Sequence, residues 1–161
     1  MNDLLSFKRN AMMLGLCGCY KDKWDAATSK EALMDIALDS NGVEMLADAA
    51  AFGGGMDIQY MKRTFSYYIN GKWKRSKDGY TSCLYVDFNG QIEQYCTLTT
   101  VLASNVEFHV PKGSVCKLYV SGGSEVNITG EGICYVYSYS ENKVTGNFKQ
   151  LNCVTKSEWV K

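Results

Sequence analysis

Apolar positions in the first seventy residues recur with the period of a helix. Leu4, Phe7, Ala11 and Leu14 lie on one face of a helix over 3–16. Leu33, Ile36 and Ala37 give the buried stripe of a second, over 28–40. Thr28 and Glu31 read as its capping box, in which hydroxyl and carboxylate each satisfy an end-of-helix N–H. Asn41-Gly42 reads as its stop. An alanine-rich helix over 43–52 follows, closed by Gly53-Gly54-Gly55. Asp57 can cap a last helix that puts Ile58, Met61, Phe65 and Tyr68 on one side.

After Asn70-Gly71 the pattern changes to the period of a strand, and valine, tyrosine, threonine, serine and glycine replace alanine. Val86, Cys96, Val106, Cys116, Val126 and Val136 stand ten residues apart. Phe88, Leu98, Phe108, Leu118 and Ile128 repeat the same beat two positions later. Residues two apart share a strand face, so each pair reads as the inward half of one short strand. Turn residues keep the beat: Asn89-Gly90, Ser104-Asn105, Pro111-Lys112-Gly113, Gly122-Gly123, Gly130-Glu131-Gly132 and Glu141-Asn142.

The pattern predicts an α+β chain, with a helical subdomain over 1–70 packed on a β part over 71–161. Uniform spacing favours a β-solenoid, because hairpin loops vary in length. In a two-strand coil of about twenty residues, Cys96 would stack near Cys116, Val106 near Val126 and Cys116 near Val136. The alternative is an antiparallel meander, barrel or sandwich, and Asn89-Gly90 is a strong hairpin signal in its favour.

Charge adds a local feature to this plan. The chain holds 17 basic and 17 acidic residues, so no net field steers it to nucleic acid or to an anionic membrane. Residues 1–61 carry five basic and nine acidic groups, and residues 62–77 carry six basic groups and none acidic. Within that second segment Lys62, Arg63, Lys72, Lys74, Arg75 and Lys77 interleave with Phe65, Tyr67, Tyr68 and Trp73. Such a mixture forms a solvated face that offsets the acidic helices, the rim of a protein interface, or a surface for phosphates and bases. Lys72, Trp73, Lys74 and Arg75 are its candidate binding residues.

The second candidate surface is the other face of the strands. It collects His109, Lys117, Tyr119 and the run Tyr135, Tyr137, Tyr139. Exposed tyrosines supply stiff, amphipathic contact area. The same rings would serve equally well packed beneath the helices or stacked across strands.

Catalytic chemistry finds little support. His109 is the only histidine, and the alternation sets it on the face opposite Cys116. Cys17-Gly18-Cys19 lacks the second pair of ligands that a structural zinc site needs. The triple glycine has no strand before it and no Gly-Lys-Ser/Thr after it, so it reads as a hinge rather than a phosphate loop. The expectation is a non-enzyme with no metal and no cofactor.

Seven cysteines, an odd number, with Cys96 and Cys116 at valine-like positions, fit reduced core thiols and a cytoplasmic setting. Lys8-Arg9, a short apolar run and Cys17 sketch a lipoprotein signal as the alternative. Asp3 and the helical spacing speak against it.

Asn2-Asp3-Leu4-Leu5-Ser6-Phe7-Lys8-Arg9, Leu38-Asp39-Ser40-Asn41-Gly42 and the Val/Tyr-rich tail resemble small proteins of gut Bacteroides-type bacteria and their phages. Those proteins join a short helical region to a repetitive β region. The resemblance implies an origin in a phage or mobile element, and no activity. It makes two roles natural: an accessory protein that binds and inhibits a host protein, or a structural or fibre component of a particle (a homo-oligomer). The residues of 62–77 add a third, a nucleic-acid or nucleotide binder.

Overall fold

A computed structural model describes residues 18–52, 58–75 and 79–154. Among the described residues four helices come first: α1 (Gly18–Ala26), α2 (Lys30–Ala37), α3 (Ser40–Phe52) and α4 (Ile58–Thr64), with a 3-10 turn at Ser66–Tyr68. The helix expected over 3–16, the triple glycine and Asp57 lie outside the described residues.

The helix boundaries correct two readings. The cap of α2 is Ser29, not Thr28: its hydroxyl accepts the Ala32 N–H at 3.1 Å. Asn41-Gly42 does not stop a helix but lies in the first turn of α3. The Asp39 carboxylate accepts the Gly42 N–H there at 2.8 Å. Glycine is needed at 42 because α2 ends against it; a Cβ would stand 2.3 Å from the Ile36 carbonyl oxygen.

Ten strands follow: β1 (Trp73–Arg75), β2 (Thr81–Val86), β3 (Asn89–Glu93), β4 (Leu98–Leu102), β5 (Asn105–His109), β6 (Val115–Ser121), β7 (Glu125–Thr129), β8 (Ile133–Tyr139), β9 (Lys143–Gly146) and β10 (Gln150–Val154). From β2 on they alternate between a six-stranded sheet, β1-β2-β4-β6-β8-β10, and a four-stranded sheet, β3-β5-β7-β9. Every pairing is parallel except β1 with β2. The β part is therefore a solenoid with two strands per coil, and the antiparallel alternative falls. Asn89-Gly90 is no hairpin. The chain swings at Asp87, which takes a left-handed φ of 50°, and Asn89-Gly90 opens β3 in the facing sheet.

Each later coil makes the same corner with a left-handed residue: Ala103 (φ 50°), Gly122 and Gly123 (φ 73° and 75°), and Ser140 (φ 63°). Polar side chains stacked just beyond satisfy the turning backbone. Ser104 accepts the Phe88 N–H, Ser124 accepts the Ser104 N–H, and Asn142 accepts the Ser124 N–H. The Asn142 amide also donates to the Val120 and Tyr139 carbonyls. A coil corner buried without such partners would forfeit its backbone hydrogen bonds.

The register confirms Val106 opposite Val126. It corrects two other pairs. Cys116 stacks on Cys134, and Val136 stacks on Leu118. Cys96 lies in the turn ahead of β4 rather than in a strand. Coils differ in length because their turns differ, and a two-residue offset preserves which face a residue takes. Val106, Phe108, Cys116, Leu118, Val126, Ile128 and Val136 thus fill the interior as expected. Val86 and Leu98 do not. They join the helical core on the outer side of the six-stranded sheet, together with Leu84, Leu102, Tyr119 and Tyr139. There α3 packs across β4, β6 and β8, and the Ser121 hydroxyl donates to the Ala47 carbonyl.

Candidate functional site

The tyrosines expected to form an exposed ladder are mostly covered. Tyr119 is 2 % exposed, Tyr139 is buried, and both belong to the core shared with the helices. Tyr119 stacks on Tyr137 with ring centres 5.1 Å apart and planes 17° off parallel. Its hydroxyl reaches Glu44 of α3. Burial first, then the Glu44 charge, push the phenol well above its ordinary range. Tyr137 is half-buried against the same core, while Tyr135 is half-buried beside exposed Lys117, its register partner. What covers them is the helical layer, which strand alternation cannot reveal.

His109 does not share a surface with those residues. It stands on the outer face of the four-stranded sheet, across the solenoid from the tyrosines. Its Nδ1 meets the Glu93 carboxylate at 2.8 Å. Neighbouring rows are paired in the same lateral way. The Gln91 amide donates to Glu107 at 3.3 Å, the Thr145 hydroxyl to Asn127 at 3.1 Å, and Lys143 meets Glu125 at 3.4 Å. The interior cysteines Cys116 and Cys134 point away from this face. Among the described residues the His/Cys/Asp/Glu side chains form no group able to hold a metal ion.

The basic-aromatic segment is placed differently. Lys62 is taken up by Asp87 of the first coil corner, at 2.6 Å, so the helices' acidic groups are not its partner. Lys72 lies over the Tyr67 ring, 5.4 Å from its centre, and Arg63 lies over Tyr60. Trp73 opens β1, which closes the N-terminal edge of the six-stranded sheet, and Arg75 ends it, exposed. Lys74 lies between them on the same strand, with its side chain outside the description, and Lys77 is outside the described residues.

Trp73 meets Tyr95 with ring centres 5.7 Å apart. Sequence reasoning missed Tyr95, although a large aromatic in the turn between two strands is itself a signal of exposure. Three large aromatics are thus left open near one end of the solenoid: Tyr67 (72 % exposed), Trp73 (46 %) and Tyr95 (71 %). Trp73 is common to two cavities. One, of about 480 Å³, lies among Glu31, Tyr67, Tyr68, Gly71 and Lys72. The other, of about 220 Å³, is lined with Trp73 by Tyr85, Ile92, Glu93, Tyr95, Cys83 and Cys96.

Cys83 and Cys96 are the second feature missed. Thirteen residues separate them, off the ten-residue beat, and only the coil brings them together. The Cys83 thiol and the Thr81 hydroxyl hold the Cys96 sulfur below the ordinary thiol range, against the opposing effect of burial. Cys83 shifts upward because it keeps its proton toward Cys96, and because it is buried. Among the described residues no helix is long and apolar enough to cross a membrane. No family model, curated protein or solved structure matches the chain.

Proposed function

We propose that this chain is a non-enzymatic protein-binding module whose working surface is the end of the solenoid around Tyr67, Lys72, Trp73, Arg75 and Tyr95. The observation that carries this reading is the exposure of the three aromatics, with Lys72 over the Tyr67 ring and Arg75 exposed at the end of β1. Tryptophan, tyrosine and arginine dominate interface energetics because they desolvate a large area at low entropic cost. Burying such groups inside this fold was feasible, as Trp24 and Phe65 demonstrate. The charge selects an acidic surface on the partner. The resemblance to phage-type proteins makes that partner a protein of the host cytoplasm, held and inhibited by this chain.

The test is a capture from host lysate with wild-type chain and patch variants side by side. Trp73→Ala and Tyr95→Ala should each weaken the captured complex by about tenfold or more. Glu107→Ala and Asn127→Ala, on the four-stranded sheet, should leave it intact. The reverse pattern, or no saturable partner, overturns the reading. A complex that dissolves on nuclease treatment assigns the patch to nucleic acid instead.

A second reading, a subunit of a symmetric particle or fibre, is supported by the outer edge of β10. Leu151 has the parity of interior residues, opposite Val136, yet is 38 % exposed. Among the described residues no strand pairs with the outer side of β10, and such an edge invites pairing with another copy. A concentration-independent monomer in sedimentation would remove that reading.

A further inference from the structure

Two features meet at the N-terminal mouth of the solenoid that neither partner binding nor core packing requires. The first is a pair of thiols. Cys83 points into the first coil, its sulfur 3.6 Å from the Thr99 hydroxyl, and Cys96 reaches it from the turn ahead of β4. The second is access. Both cysteines line the 220 Å³ cavity that is lined also by the exposed rings of Trp73 and Tyr95. Cys116 and Cys134 supply a built-in contrast. They too are adjacent free thiols, but they stack in mid-core, among Val101, Leu118 and Val136.

We propose that Cys83 and Cys96 form a thiol–disulfide exchange site that accepts a small organic disulfide in the cavity they share with Trp73 and Tyr95. The Cys96 thiolate attacks one sulfur of the bound disulfide. The S–S bond breaks, and one thiolate leaves and takes a proton from water. Cys83 then loses its proton to water and attacks the Cys96 sulfur, which expels the second thiolate, and that thiolate also takes a proton from water. The disulfide gains two electrons and becomes two thiols, while the protein pair loses two electrons and becomes one internal disulfide.

The order of the two cysteines follows from their surroundings. The Cys83 thiol is turned toward the Leu98 carbonyl and the Thr99 hydroxyl, whereas Cys96 lines the cavity from the turn ahead of β4, so Cys96 is the thiol that meets the disulfide first. Reactivity of this kind follows thiolate character and a path for the reagent. The apolar rings at the mouth favour a flat, apolar substituent on the incoming disulfide. The product would tie β2 to the turn before β4 and close the first coil covalently. The chemistry stands whether or not a protein docks on the rim.

The test uses the full chain with Cys17, Cys19 and Cys153 replaced by serine, treated with an aromatic disulfide whose leaving thiol is coloured. The native protein should release two coloured thiols per chain, and peptide mapping should find Cys83 joined to Cys96. Cys83→Ser should release one thiol and keep the adduct on Cys96, and Cys83→Ala should behave alike. Cys96→Ser should abolish the fast release. Cys116 and Cys134 should react only after denaturation, in every variant. If Cys83 and Cys96 are protected as fully as Cys116 and Cys134, the site does not exist. An adduct that persists on Cys96 beside an intact Cys83 also overturns it.

Discussion

Replacing Tyr119 with alanine separates a covered tyrosine from an exposed one. The ring is 2 % exposed, stacks on Tyr137 and approaches Tyr139 at 6.4 Å. It also seals the joint between α3 and β6. Removing a ring from such a site costs about 3–5 kcal/mol, through lost transfer energy and the cavity left behind. A tyrosine on an open face would cost within about 0.5 kcal/mol. In a chain of this size 1 kcal/mol moves Tm by about 2–4 °C, so the expected fall is roughly 6–20 °C. Urea titration followed by circular dichroism measures the loss directly. A loss below about 1 kcal/mol would refute the covered ring, and with it the docking of the helical layer on this sheet.

Tyr119→Phe refines the same prediction. It keeps the ring and removes the hydroxyl that Glu44 accepts, so it should cost less than the alanine variant. The folded state holds this phenol neutral above the range in which an unfolded tyrosine, near 10, gives up its proton. Its contribution is therefore complete below about pH 10 and is lost as pH rises further. Tyr85, pushed up to about 12 chiefly by burial, acts in the same direction. Stability of the wild type should decline above about pH 10, less steeply for Tyr119→Phe. An unchanged slope would count against the Glu44 contact.

Three further substitutions probe the frame. Gly42→Ala should destabilise by about 1–2 kcal/mol in denaturant, although helix propensity alone predicts a gain of about 1, because the new methyl meets the Ile36 carbonyl. Ala103→Gly should stabilise by about 0.5–1 kcal/mol, since it relieves a left-handed alanine at the second coil corner. Asn142→Ala should cost about 2–3 kcal/mol and speed amide exchange at Ser124, whose N–H loses its acceptor.

The β-solenoid was largely legible before any coordinates. Val106, Phe108, Cys116, Leu118, Val126 and Ile128 declared one buried face because a strand sorts its side chains by parity, a local property of the backbone. The helix periodicity from Leu33 to Tyr68 was equally local. Where readings failed, the deciding force came from outside the segment. Val86 and Leu98 carry the parity read as interior, and Tyr119 and Tyr139 the parity read as exposed, yet all four are buried by the helical layer laid over the six-stranded sheet. His109 and Tyr119 share a parity in the sequence, yet successive strands alternate between opposed sheets and put them on opposite sides.

The candidate site shows the same division. The basic-aromatic composition of 62–77 was visible at once, because charge and ring content need no folding to be counted. That Lys62 is spent on Asp87, that Trp73 pairs with Tyr95, and that Cys83 meets Cys96 beneath them are consequences of coil length. Turns of unequal length set which residues face each other across a coil, and turn length is fixed by backbone packing at the corners. The sequence by itself determined the elements, their faces and the surplus of cations and rings. Only the tertiary structure decided which of those rings stayed in water and which thiols met, because burial is a relation between layers rather than a property of a strand.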